Sequence, residues 1–139
     1  MTISHNIKIN APITRVWTIT TDIDRLPEVT PTIERVARLT PGELAEGDQF
    51  KLWQPDLMAA VWTVTEVDPK RYVFSWKRKL GLSTLTATHE LKREKKGCSS
   101  ALSLDVTGLG SGLVERAMRS RAERSLESEN QAIKAAAES

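Results

Sequence analysis

Residues 2–10 alternate strictly: Ile3, His5, Ile7 and Ile9 fall on one side of an extended chain and Ser4, Asn6 and Lys8 on the other. A period of two is the signature of a strand with one buried face, so His5 shares that face with three isoleucines. The period then changes. After Ala11-Pro12, the positions Ile13, Val16, Trp17, Ile19 and Thr20 take helical spacing, and proline suits the first turn of a helix. A second short helix is predicted over 23–28, with Asp22 or Asp24 as its cap and the stretch from Pro27 to Pro31 as its stop.

From residue 32 the chain reads as six strands: 33–39, 48–54, 57–67, 72–78, 83–92 and 99–107. Turn signals separate them at Pro41-Gly42, Glu46-Gly47, Pro55-Asp56, Asp68-Pro69, Gly81 and Gly97. Such short breaks favour antiparallel hairpins over parallel crossovers. Alternation puts Phe50 and Leu52, then Met58, Ala60, Trp62 and Val64, then Tyr72, Phe74 and Trp76 on the inner face. Leu85, Ala87, His89 and Leu91, and Leu102, Leu104 and Val106, continue it. Glu66 and Val67 break the alternation, which predicts a bulge there. Trp53 alternates with its neighbours and is expected to face outward.

Residues 111–139 form the longest regular pattern, entered through Gly108, Gly110 and Gly112. At 3.6 residues per turn, Val114, Met118, Ala122, Leu126, Ala132, Ile133 and Ala136 share an arc about 120° wide, and Glu129 projects near its centre. A carboxylate aimed at an interior is costly unless it is paired, hydrogen-bonded, protonated or hydrated. The far side of this helix is therefore expected to be a polar network or a cavity. The arginines Arg116, Arg119, Arg121 and Arg124, interleaved with Glu115, Glu123 and Glu127, read as its solvated face rather than a membrane-binding one.

At 139 residues the chain is expected to be a single domain, 1–139, which by length buries roughly two-thirds of its unfolded surface. Twenty Lys and Arg against 18 Asp and Glu leave +2, too little to suggest nucleic acid as a partner. The basic clusters 77–79 and 92–96 read as hairpin ends. A lone Cys98 excludes an internal disulfide. With no signal-peptide pattern and no run of about 18 apolar residues, a cytoplasmic location without an integral membrane segment is expected. No phosphate-cradling loop or nucleophile elbow occurs. His5, His89 and Glu129 would suit zinc chemically, but they lie on distant elements with no short-spaced motif, so neither a metal nor a cofactor is expected.

The order of elements, and the segments INAPITRVW at 9–17, TDIDRLPEVTPTIERV at 21–36, GDQFKLWQP at 47–55, WTVTEVDPKRYVFSW at 62–76, ATHELK and the late-helix LESEN, resemble the START-like helix-grip superfamily. The likeness is strongest to its polyketide cyclase/dehydrase and lipid-transport group. It implies an α+β helix-grip fold: a seven-stranded antiparallel sheet wrapped around a long C-terminal helix, with two short helices after the first strand and a cavity between sheet and helix. The expected wall is Trp62, Phe74, Trp76, Ala87, His89 and His5 from the strands, with Met118, Arg121, Ser125 and Glu129 from the helix. Four tryptophans against one tyrosine and two phenylalanines fit an apolar site with a few polar anchors, although Trp17 is expected to fill core and Trp62 and Trp76 are equally suited to core or site.

Three functions follow as expectations. The first is binding or carriage of a hydrophobic small molecule, such as a lipid, polyketide or isoprenoid, by a monomer or weak homodimer. The second is a cyclase or dehydratase in which His89, His5 or Glu129 moves protons, since imidazole and a desolvated carboxylate are apt acid/base groups. The third is a protein-interaction module using an exposed apolar patch.

Overall fold

The computed structural model describes Thr2–Ser139. Strand β1 (Thr2–Ile9) leads into α1 (Ile13–Thr21), a 3-10 turn (Ile23–Arg25) and α2 (Leu26–Val29). Six strands follow: β2 (Arg35–Arg38), β3 (Gln49–Trp53), β4 (Ala60–Asp68), β5 (Val73–Leu80), β6 (Ser83–Arg93) and β7 (Cys98–Gly108). The chain ends in α3 (Ser111–Glu138). The sheet order is β1-β7-β6-β5-β4-β3-β2, with every neighbouring pair antiparallel. The result is the expected helix grip, a meander from β2 to β7 completed by the N-terminal strand.

Register explains how one face of the sheet became a container. Directly paired residues share a face, so the pairing lays out rows across the strands. One row runs Val67, Phe74, His89, Leu102, His5; the next runs Val64, Trp76, Ala87, Leu104, Ile3. The register shifts between Val64 and Glu66, so the anticipated bulge lies around Thr65, just before its expected place. The extra residue lets Val64 and Val67 both meet the inner face and increases the local twist.

The second short helix departs from expectation: Asp22 makes no side-chain cap, and Pro27, expected to help stop it, lies in the first turn of α2 instead. Two strand positions differ as well, for one physical reason. Met58 is not an inner-face strand residue: it is 91% exposed, and β4 begins only at Ala60. Asp56, at φ 61°, turns the chain left-handed before the strand can start. Tyr72 is likewise left-handed, at φ 57°, and lies outside β5. Its ring meets Trp17 edge-on, at 5.7 Å between centroids, away from the row of Phe74 and Trp76.

The apolar interior has two parts. A larger cluster, including Phe50, Leu52, Trp76, Leu102 and Leu126, lies beneath the middle of the sheet. A smaller one, with Ile9, Ile13, Val16, Leu91, Cys98, Ile133 and Ala137, joins α1, the end of β1 and the end of α3. Gly97 makes that end possible: at φ 77°, a Cβ there would lie 2.1 Å from the Ile9 carbonyl oxygen. Trp17 packs between the two clusters, whereas Trp53 lies on the outer face under the Arg35 guanidinium, 4.5 Å from its ring centre.

Candidate functional site

Between the middle rows of the sheet and the middle of α3, from Met118 to Glu129, lies a cavity of about 470 Å³. Its sheet wall is mainly apolar, built by Leu52, Trp62, Trp76, Leu85, Ala87, Leu102 and Leu104, and α3 roofs it with Met118, Ala122, Ser125, Leu126 and Glu129. These residues meet because β5, β6 and β7 present alternate side chains inward at matched register while α3 crosses above them. Pro31, Ile33, Asp56, Leu57 and Arg121 lie at its loop-side margin, where an Arg121–Asp56 ion pair of 3.3 Å ties α3 to the turn before β4.

At the opposite margin, His89 Nε2 lies 3.2 Å from Glu129 Oε1, with both side chains largely buried. A carboxylate accepts only, so Nε2–H is the donor, and the second nitrogen of a singly protonated ring is an acceptor. That atom, His89 Nδ1, is buried with no partner among the described residues, and so is the indole Nε1–H of Trp62. Buried polar atoms of this kind are uncommon and call for explanation.

The expected set of His5, His89 and Glu129 is only half assembled. His5 is in the same row as His89, but Leu102 stands between them. His5 Nδ1 accepts from Asn130 Nδ2 at 2.9 Å, and His5 is absent from the cavity wall. Phe74 is also not on the wall: wholly buried, it packs against Trp76 and His89, at 5.1 Å and 5.6 Å between ring centres, and supports both. The other eight expected residues, Trp62, Trp76, Ala87, His89, Met118, Arg121, Ser125 and Glu129, do line the cavity.

Asn130, rather than Glu129, is the side chain of this part of α3 that carries polar atoms fully into the interior. It has no exposed surface, whereas Glu129 lies at the margin. Asn130 Oδ1 accepts from Ser100 Oγ at 2.8 Å, and its Nδ2 lies within hydrogen-bond reach of His5 Nδ1 and the carbonyls of His5 and Ser100. The sequence carried a signal for it, since Leu126, Asn130, Ile133 and Ala137 are spaced as one helical face. Glu115 is buried too, and is paired with Arg119 one turn on.

Arg78 belongs by sequence to a basic hairpin-end cluster, yet it shares the strand parity of Phe74 and Trp76 and reaches the cavity wall. Its Nε donates to the Lys79 carbonyl at 3.0 Å, and burial pushes its guanidinium below the usual arginine range. Among the described residues, no three metal-ligating side chains come together and no helix is long and apolar enough to cross a membrane.

Solved structures share this architecture. The Zhui aromatase/cyclase from Streptomyces sp. R1128 superposes with a TM-score of 0.81 at 18% identity, over 99% of this chain and 93% of that one. A protein of Thermus thermophilus, TTHA0849, gives 0.72 at 16% identity, over 98% and 99%. The di-domain ARO/CYC BexL from the BE-7585A biosynthetic pathway gives 0.77 at 14% identity over 96% of this chain, which spans about half (46%) of BexL. No curated protein matches the sequence. The family model described as polyketide cyclase / dehydrase and lipid transport matches residues 1–138, and the chain belongs to that family.

Proposed function

We propose that this protein binds and carries a hydrophobic small molecule bearing one or two oxygen functions, such as a lipid, polyketide or isoprenoid, in the cavity under α3. The observation that carries this reading is the cavity itself: about 470 Å³, within the range of small-molecule sites, walled by Trp62, Trp76, Leu85, Leu102 and Leu104. An apolar ligand replaces water there with favourable burial, and a ligand oxygen, after a small ring adjustment, would satisfy the unpartnered Trp62 Nε1–H. Membership of a family described by both cyclase/dehydrase and lipid-transport functions supports the ligand class.

A second reading, catalysis as a cyclase or dehydratase, is favoured by one observation. Glu129 holds the His89 ring by Nε2, leaving Nδ1 as the free basic nitrogen, which is the arrangement of a base fixed by an orienting carboxylate. In that reading a ring shift brings the buried His89 Nδ1 to the cavity, where it takes a proton from the carbon next to a ligand carbonyl while the C–H electron pair passes to that carbonyl oxygen as an enolate.

Native mass spectrometry of the protein purified from its own cell tests the first reading. One retained apolar molecule per chain is expected; a ligand-free chain that takes up no lipid or polyketide when these are supplied contradicts it. His89→Gln separates the two readings. A carrier keeps its affinity within a few-fold, whereas an enzyme loses about 100-fold or more in turnover while affinity holds.

A further inference from the structure

Eight large apolar side chains are strongly exposed among the described residues, and six of them lie on three segments that meet at one end of the fold. They are Leu57 and Met58 before β4, Leu80 and Leu82 around the β5–β6 turn, and Leu109 and Leu113 between β7 and the first turn of α3. Met58 is 91% exposed, Leu82 73%, and Leu109 and Leu113 75% each. Their proximity follows from the backbone. Ser83 pairs with Gly108, and its Oγ donates to the Leu109 carbonyl at 3.0 Å. At φ 95°, Gly108 lies so close to the β5–β6 turn that a Cβ would come within 2.8 Å of the Leu82 carbonyl oxygen. On the other side, Thr63 pairs with Lys77, which runs the start of β4 beside the end of β5. Leu57, half-exposed, also lines the cavity, so this end borders it.

Charge sorts with these residues. Segments 54–59, 77–83 and 108–121 carry six cations, Lys77, Arg78, Lys79, Arg116, Arg119 and Arg121, against two carboxylates, Asp56 and the buried Glu115. Arg119 pairs with Glu115 and Glu123, and Arg121 with Asp56, so the exposed Lys77, Lys79 and Arg116, which make no ion pair among the described residues, are the cations beside the leucines. Leucines standing singly on separate turns, ringed by lysine and arginine, suit a fluid apolar layer beneath an anionic surface, because such a layer takes each side chain without a matching pocket. A protein partner would instead need a complementary recess for each one. The geometry points to this rim as a docking surface for an anionic lipid bilayer, with Leu82, Leu109 and Leu113 entering the headgroup boundary and Lys77, Lys79 and Arg116 facing the lipid phosphates; for Arg116 this replaces the expectation of a merely solvated helix face. It goes beyond the binding reading, because docking at the rim does not depend on what the cavity holds. If the cargo is apolar, the same contact brings the Leu57 edge of the cavity to the membrane where such a molecule partitions.

Co-sedimentation of the full chain with vesicles tests this, comparing phosphatidylcholine alone with equal parts phosphatidylcholine and phosphatidylglycerol. Binding is expected to the anionic vesicles, to weaken steeply as salt rises through about 0.1–0.5 M, and to be slight with phosphatidylcholine alone. Leu82→Ser, Leu109→Ser and Leu113→Ser together are expected to weaken it about tenfold or more, with the unfolding midpoint unchanged because all three side chains are exposed. Ala87→Trp, which fills the cavity, is expected to leave docking intact, so failure of the cargo reading and failure of this one are distinguishable. No sedimentation with either vesicle, the outcome that a protein partner at this rim requires, overturns the proposal. Sedimentation unaffected by the triple substitution overturns it as well.

Discussion

The two ends of α3 rest on different kinds of ground. Its C-terminal third is tied down by specific bonds. Asn130 reaches Ser100 and His5, Lys134 donates to the Lys8 carbonyl at 2.9 Å, Arg15 Nε donates to the Ala137 carbonyl at 2.7 Å, and Ile133 and Ala137 fill the smaller apolar cluster. Toward its N-terminus, from Met118 to Glu129, it roofs a void. Among the described residues that side is tied to the rest of the fold by the His89–Glu129 pair, the Arg121–Asp56 ion pair and the packing of Val114, Met118, Ala122 and Leu126 on the larger cluster. One helix thus serves as anchor at one end and as lid at the other. The division tells which substitutions should unfold the protein and which should only change what it holds.

The largest effect is expected at the anchor. Asn130→Ala removes a fully buried amide and leaves Ser100 and His5 with unmet polar atoms, so a loss of about 2–4 kcal/mol is expected in denaturant unfolding. Ser125→Ala, one turn and a little more toward the lid, is expected to change stability by less than about 0.5 kcal/mol. Equal losses at the two positions would break the comparison.

Next in size is the pair at the cavity margin. Glu129→Ala leaves the buried His89 Nε2–H without its acceptor and is expected to cost about 1–2 kcal/mol. Glu129→Gln keeps an acceptor and is expected to lose less than half as much. The same unfolding measurement decides: a Gln variant as unstable as the Ala variant would mean that the bond needs the carboxylate charge, and an Ala variant as stable as wild type would mean that it contributes nothing.

A smaller effect depends on pH. The Lys134 hydrogen bond, then the backbone N–H of Asn10 at 2.7 Å, hold the Glu138 carboxyl below the usual carboxylate range. A carboxyl lowered on folding contributes stability that is fully present above its unfolded pKa and lost as pH falls through its folded one. Wild type should therefore exceed Glu138→Gln slightly in unfolding midpoint at neutral pH, with the difference vanishing in strong acid. A difference that persists in acid would place the effect elsewhere than in this ionisation.

The smallest effect concerns reactivity rather than stability. Burial, and secondarily the charge of Glu94, push the Cys98 thiol up, and its Sγ lies in the anchoring cluster. Native protein is expected to react with a disulfide reagent at pH 8 far more slowly than unfolded protein, since the thiolate is the nucleophile and it is scarce and covered. Rapid native labelling would show that the anchored end opens readily.

Most of the frame was legible in the sequence because periodicity carries it. Period-two strands separated by turn signals gave the meander, and the long helical pattern gave the lid. The misplaced positions share a local cause. Met58 and Tyr72 follow or occupy left-handed residues that are not glycine, Asp56 and Tyr72, and no hydrophobic pattern announces such a turn. Asn130 was missed because the helical arc was drawn through apolar residues alone. An amide enters a core when partners wait for it, and Ser100 and His5 lie on strands 30 and 125 residues away. The eight wall residues were reachable from strand parity and the helical wheel, yet neither could say that His5 turns to Asn130 while His89 turns to Glu129. The rim of exposed leucines was invisible for the same reason: its three segments are near one another only once the sheet is paired.

The central claim is that the lid end encloses a site for an apolar ligand, and tryptophan emission tests it most directly because Trp62 and Trp76 line that site. Titration with a long-chain fatty acid should shift or quench emission and saturate at about one equivalent per chain. Ala87→Trp, which fills the wall between Trp76 and Leu104, should weaken that binding about tenfold or more while leaving the protein folded. A chain that shows no saturable change, or an Ala87→Trp variant that binds as tightly as wild type, would contradict it.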